Sequence, residues 1–391
     1  MLKNNFEKSK NYFKEKYGLG LDNPIVIIFI GYFLIFLLAI PYFGEFGVNS
    51  LLKMILVVFG NLVIFSIPFF INFEKKMKLD KLNLKMFSGI LLGISMFFGV
   101  FTLSGSLLSA VLFSGLVFLI LHIFIKNYYS EKISKIMFLI GVVSFLAMVL
   151  IYGTIPITNY TVRMAISDDP LRLISSGALT FASLFNFGYF LVSFAILAVT
   201  GYKANVLVLI VAFLLYNYKN NKISAKKIFL IGIFTVLFLG IMAKAILSSS
   251  GQSWSLNFLE ILSYRAYFDL MTLEKIILYS TALYGKIAFT PGGESLIGEI
   301  IHGYRHNITS TLFGPIYLDL GYYSLIFSLI FGIISKLIYK KSDTKIYSIY
   351  GAVLLSMCEI GINYGFLVTM LMFLYVSENL HKKPIINKKI F

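Results

Sequence analysis

Apolar residues dominate this chain in long, closely spaced runs. Stretches near the roughly 20 residues a helix needs to span a bilayer recur at about 24–43, 50–72, 86–103, 105–125, 136–152, 176–200, 205–217, 228–247, 311–337, 346–360 and 363–377. They predict a succession of membrane-spanning helices. No cleavage-type signal precedes the first run, which therefore reads as an uncleaved span.

Between the runs lie short polar hinges rich in lysine: "KSKNYFKEK", "EKKMKLDKLNLK", "KNYYSEKISK", "NYKNNKISAKK", "KKSDTK" and "HKKPIINKK". Basic hinges mark the cytoplasmic side, so both termini are expected in the cytoplasm and the number of crossings must be even. Eleven runs do not satisfy this. Either one arm between about 153 and 217 is re-entrant, or the stretch 160–200 folds back near Asn186–Gly188 as two short crossings; ten or twelve crossings are expected.

Composition sharpens the class. Of 391 residues 58% are hydrophobic and 13% charged, too few polar groups to cover soluble cores. The expected fold is an all-α polytopic membrane protein in the lipid bilayer of the cytoplasmic (inner) membrane. A net charge of +16 could suggest nucleic acid as a partner, but the lysines form no groove-like patch with interleaved aromatics. Cys358, the only cysteine, allows no intrachain disulfide and no Cys-based metal site.

The pattern divides the chain into a basic cytoplasmic N-terminus (1–23), a first helix bundle (24–247), a large outer loop (248–310), the last helices (311–377) and a basic cytoplasmic tail (378–391). The loop carries the only tryptophan, Trp254. Its pieces around 257–285 and 295–302 have helical spacing and are expected to lie along the membrane surface. "TPGGES" at 290–295 lacks the Gly-Lys-Ser/Thr of a phosphate loop.

The chain has four arginines, Arg163, Arg172, Arg265 and Arg305, and all fall on the outer side. Codon bias explains why lysine dominates, but not why arginine avoids the cytoplasmic hinges. A guanidinium binds phosphate oxygens in a two-pronged way that an ammonium cannot copy. An outer-face phosphate at a membrane mouth is most simply the diphosphate head of a lipid-linked intermediate. Glycosyl transfer from such a lipid needs cations to stabilise the leaving diphosphate and a base for the acceptor hydroxyl. Beside the arginines lie His302, His306, Glu260, Asp269, Glu274, Glu294, Glu299 and Asp319, with Asp168 and Asp169 in the earlier outer loop.

"GYRHN" at 303–307 followed by "IYLDLGYYS" resembles the His-Asn and Gly-x-x-Gly/Ser pattern that ends the large outer loop in the bacterial O-antigen polymerase and O-antigen ligase families. "AVTGYKANVLVLI" at 198–210 resembles their Thr-Gly-Ser-Arg turn, and "SYRAYFD" at 263–269 sits where they carry a second outer arginine. The resemblance implies a GT-C-like bundle of about 10–12 helices, and favours twelve. It further implies a metal-independent, cofactor-free glycosyltransferase acting on undecaprenyl-diphosphate-linked oligosaccharide, with flippase and chain-length regulator proteins as partners. His306 would match the base, Arg265 the loop arginine holding the diphosphate and Lys203 the turn arginine, with Arg305 as a further cation. Lys203 departs from the pattern by keeping the charge without the fork.

Each residue has a plainer competitor. Arg305 could be an interfacial anchor, Arg265 a snorkelling surface residue and His306 a solvated loop residue. Arg163 and Arg172 are expected to pair with Asp168 and Asp169. Asp319, inside an apolar run, must be paired or sit in a wet cavity. Asp269 and Glu294 are the remaining candidates for a base. A polymerase of lipid-linked repeat units, making O-antigen or capsular polysaccharide, is the first reading. An O-antigen ligase is the second, and a lipid-linked oligosaccharide flippase is the rival from another class, although no internal repeat of the transporter kind is found.

Overall fold

The structure, a computed structural model, describes residues 20–71, 83–251, 255–279 and 281–381. Trp254, most of the basic N-terminus, most of the hinge at 74–85 and most of the basic tail lie outside the described residues. The described residues form helices and turns with no strand.

In chain order the helices are α1 (Pro24–Ala39), α2 (Val48–Phe70), α3 (Leu84–Ser104), α4 (Leu107–Asn127), α5 (Lys132–Tyr152), α6 (Tyr160–Ala165), α7 (Pro170–Ser183) and α8 (Phe187–Val199). They continue as α9 (Lys203–Lys219), α10 (Ala225–Ser249), α11 (Phe258–Leu278), α12 (Ser295–Ile297), α13 (Gly314–Leu320), α14 (Ser324–Lys341), α15 (Thr344–Ile360) and α16 (Tyr364–His381). Local chemistry sets several of the starts. Asn23 accepts from the Ile25 amide at 2.9 Å ahead of Pro24 at the first helical position, a cap that leaves no proline N–H to satisfy. Seven helical stretches among the described residues are long and apolar enough to cross a membrane. Outward side chains such as Leu112, Leu139 and Leu150 stay exposed, as lipid solvation requires.

The polar hinges that are described, at 126–135, 217–227 and 340–345, collect at one end of the bundle. Lys219 meets Asp22 at 3.4 Å, Lys341 meets Glu378 at 2.6 Å, and the Tyr128 hydroxyl donates to the Asp343 carboxylate. The Lys336 ammonium donates to the Ile71 carbonyl at 3.1 Å. We call this the lysine end. The opposite, arginine end holds Arg163, whose Nε donates to the Gly201 carbonyl at 3.0 Å, together with Arg172, Lys203 and Arg265.

This polarity resolves the odd number of runs. The run at 176–200 is broken at Asn186, whose side chain accepts from the Gly188 amide at 2.7 Å and caps α8. Arg172 near the start of α7 stacks 4.1 Å from the Tyr202 ring at the arginine end, whereas Phe185, just beyond α7, lies under Lys345 at 4.5 Å at the lysine end. Helix α8 then returns to Gly201. Both are short, at 14 and 13 residues, and together they go from the arginine end toward the lysine end and back. With α9, α15 and α16 they bring the traverses to twelve among the described residues.

Two other expectations are modified. The run at 311–337 is not one straight helix: Gly321, at φ 55 and ψ −131, ends α13 in a region open only to glycine, and α14 starts afresh after it. The helix expected along the membrane surface, α11, instead buries Leu270, Leu273 and Ile276, packing against α1, α2 and α10. Close packing of α14 on α2 depends on Gly332, where a Cβ would come within 2.2 Å of the Phe65 carbonyl oxygen, the small-residue contact typical of helices in lipid.

Candidate functional site at the arginine end

Helix α11 starts from a capping box: the Asn257 side chain accepts from the Glu260 amide at 3.0 Å, and the Glu260 carboxylate accepts from the Asn257 amide at 2.7 Å. This fixes the entry of the helix and hence the rotation that presents Arg265 and Asp269, four residues apart, on one face. Arg265 Nε lies 3.9 Å from the Asp269 carboxylate and 3.3 Å from that of Glu359 near the end of α15.

A third element completes the cluster. Residues 309–313 are stitched across the bundle: the Thr311 amide donates to the Glu359 carbonyl at 3.3 Å, the Ile362 amide to the Leu312 carbonyl at 3.0 Å, and the Phe313 amide to the Tyr32 hydroxyl at 3.1 Å. Thr311 is held at φ 66, an unfavourable conformation for a β-branched residue that persists only where surroundings enforce it. The result places Thr309 between the charges. Its hydroxyl accepts from Arg265 Nη2 at 2.7 Å and donates to the Asp269 carboxylate.

Arg265, Asp269 and Glu359 open into a cavity of about 140 Å³. Lys203, the first residue of α9, lines the same cavity. The other walls are apolar and include Leu34, Leu38, Leu207 and Leu262. Because they face this cavity, the Arg265 and Glu359 side chains keep 38% and 43% of their surface, while Asp269 keeps 1%. Burial, opposed by the Arg265 charge, pushes the Asp269 carboxyl up to about 7. Two cations and two carboxylates thus meet at the foot of an apolar slot.

The structure brings Arg265, Lys203 and Asp269 together and leaves other expected residues apart from that cavity. Arg305 and His306 are exposed and do not line it; Arg305 Nε donates to the Ser295 hydroxyl at 3.4 Å. Glu294 has a buried Oε2 without a protein partner among the described residues, and burial and the Asp168 charge hold it above the usual carboxylate range. Asp319 is fully buried and accepts from the amides of Ile287 at 3.0 Å and Ala288 at 2.7 Å, so it pins the loop before α12 to α13. The expected pairing of Arg163 and Arg172 with Asp168 and Asp169 is replaced by bonds to backbone. Arg163 binds the Gly201 carbonyl, and Arg172 binds those of Ile166 at 3.0 Å and Ser167. Both guanidinium groups also stack near Tyr202, at 5.0 and 4.1 Å, which steadies the turn that leads into Lys203. Asp169 instead caps α7 and accepts from the Tyr152 hydroxyl at 2.8 Å.

Glu359 escapes sequence reasoning centred on the outer loop, and Thr309, a residue of that loop, carries no charge to mark it. The signal for Glu359 was a carboxylate closing an apolar run, "LLSMCEI", since an ionisable residue there is costly without a role.

Comparison with known proteins fits this architecture. A family model described as "Putative O-antigen polymerase" matches residues 20–375. A protein of Methanocaldococcus jannaschii, named only as uncharacterized, is 45% identical over 363 residues, covering 93% of this chain and 94% of its own length. No solved structure matches the chain.

Proposed function

The chain belongs to the O-antigen polymerase family, and on that premise we propose that it joins oligosaccharide repeat units carried on a lipid diphosphate into a longer glycan at the arginine end of the bundle. Arg265 and Lys203 hold the diphosphate, and the apolar slot takes the first part of the lipid. The observation that carries this reading is the joint placement of Arg265 and Lys203 in one cavity whose remaining walls are largely aliphatic. A water-soluble anion has no use for such walls; a lipid-linked one does. The charge of the lysine end favours the cytoplasmic side, which supports an outer-face position for the cavity, and undecaprenyl diphosphate is the proposed carrier.

In the transfer, the acceptor hydroxyl attacks the anomeric carbon of the donor sugar, the bond from that carbon to the diphosphate oxygen breaks, and the diphosphate leaves with the bonding electrons. Arg265, with its planar fork, and Lys203 meet the charge that develops on the leaving oxygen. The acceptor's proton goes to Asp269, whose carboxyl, near 7, is matched to taking a proton at neutral pH. His306 is the second candidate for this role, favoured by its place three residues before Thr309 on the segment that closes the cluster.

The experiment is glycan length on cells lacking the protein. Polymerisation predicts that long chains vanish while single repeats persist. Loss of every attached glycan would show a ligase, and accumulation of lipid-linked units on the cytoplasmic face would show a flippase.

A further inference from the structure

Four planar side chains form a ladder that leads away from the clamp. The Arg265 guanidinium carbon lies 5.9 Å from the centre of the Phe268 ring. Phe268 stacks on His302 at 5.3 Å with 19° between the planes; His302 is 6.2 Å from Tyr304, and Tyr304 is stacked at 6.5 Å and 28° with His306. The ladder passes from the half-buried Phe268 to Tyr304, which keeps 52% of its surface, and the exposed His306. Polar groups flank it: His302 Nε2 is 3.2 Å from the Thr272 hydroxyl, and Arg305 and Asn307 stand exposed beside Tyr304 and His306.

The geometry points to this ladder as the surface that binds the oligosaccharide of the lipid-linked substrate, with sugars laid on the exposed Tyr304 and His306 and the Phe268–His302 stack holding that surface against the clamp. The inference rests on the proposed function above and adds the path of the glycan. A pyranose presents a C–H face of slightly positive character and a rim of hydroxyls. The first suits the negative face of an aromatic ring, and the second suits flanking donors and acceptors. A lipid headgroup belt would also gather tyrosines. It has no need, however, of rings in sequence that start at the phosphate-binding arginine and end in solvent, which is the direction a glycan must take from its diphosphate.

The test uses full-length protein in lipid nanodiscs and two probes: bare undecaprenyl diphosphate, and the lipid-linked glycan extracted from cells lacking the protein. Tyr304→Ala and His302→Ala are expected to weaken binding of the glycan-bearing lipid by about two- to tenfold, the range of one lost ring contact, and to leave binding of the bare lipid unchanged. Tyr304→Phe keeps the ring and should bind both probes nearly as wild type does. Equal weakening of both probes would place the ladder in the membrane interface or the clamp, and unchanged binding of the glycan-bearing lipid would remove it from the site; either result overturns the inference. Should the wild-type protein bind neither probe, the lipid-diphosphate reading itself fails, an outcome distinct from the other two.

Discussion

Arg265 and Glu359, 94 positions apart in the chain and on different helices, meet at 3.3 Å in the lining of one cavity. Glu359 therefore neutralises the group proposed to bind a diphosphate. An arriving diphosphate competes for the same guanidinium while the glutamate repels it. Glu359→Gln is accordingly expected to bind bare undecaprenyl diphosphate more tightly, by a few-fold to about tenfold for one removed like charge near the surface of a cavity. Titration in nanodiscs reads this directly, and weaker binding by the variant would show that Glu359 orients Arg265 more than it opposes the ligand.

Asp269 gives the reaction a pH signature. Its carboxyl is raised to about 7, so the proton-accepting carboxylate form is depleted below that value and grows as pH rises through it. Turnover of extracted lipid-linked units should climb through about pH 7 and then level. Asp269→Asn should lose about 10²–10⁴-fold, the usual share of a general base, while His306→Ala should retain most turnover. The reverse pair of results would assign the proton to His306. The same raised carboxyl bears on stability: relative to the unfolded chain, its contribution is fully present below about pH 4, and is lost as pH rises through about 7. Asp269→Asn should therefore gain thermal stability relative to wild type at pH 8 compared with pH 5, a difference that melting curves at the two pH values would show.

Asp319 is a loop anchor in this structure. Removing its carboxylate leaves the amides of Ile287 and Ala288 without their acceptor, at about 1–3 kcal/mol for a buried unsatisfied donor. Asp319→Ala should speed hydrogen exchange at residues 283–288, and Asp319→Asn, which keeps one acceptor oxygen, should restore part of the protection. Unaltered exchange in the alanine variant would contradict the anchoring role.

The assignment of faces is open to labelling. In a Cys358→Ala background, a cysteine replacing the exposed Tyr304 should react with an impermeant thiol reagent applied from outside, and one replacing the exposed Asn220 should not. Tyr304 is a better reporter than a loop glycine such as Gly293, whose Cβ would fall 2.3 Å from two backbone carbonyls. Labelling of Asn220 from outside with Tyr304 protected would invert the topology.

Much of the fold was legible because lipid imposes a plain code: apolar runs become helices and lysines mark their ends. Asn186 was visible as a break inside a long run because an asparagine there can cap a new helix. The kink at Gly321 was masked by the apolar run on both sides, since composition does not reveal backbone φ. At the site, Arg265 and Lys203 were legible from charge type and from the resemblance of their turns. Glu359 was not, because its value depends on a partner on another helix. The exposure of Arg305 and His306 was an open alternative in the sequence that only the fold decides, since the direction of a loop tip is fixed by tertiary stitches such as Thr311 to Glu359. Arg172 was misread for a related reason: nearby carboxylates suggested ion pairs, yet the turn carbonyls of Ile166 and Ser167 were closer.

The measurement that most directly tests the central claim is turnover of extracted lipid-linked units by Arg265→Lys, with Arg305→Lys as the comparison. Both variants keep their positive charge, but only the first loses a fork that lines the cavity and holds Thr309 and Glu359. The account predicts a fall of about 10²-fold or more for Arg265→Lys, the cost of one misplaced donor at a developing negative charge, and a change of no more than a few-fold for Arg305→Lys. Near-normal turnover by Arg265→Lys, in protein shown to fold by its melting curve, would contradict a diphosphate clamp at this arginine.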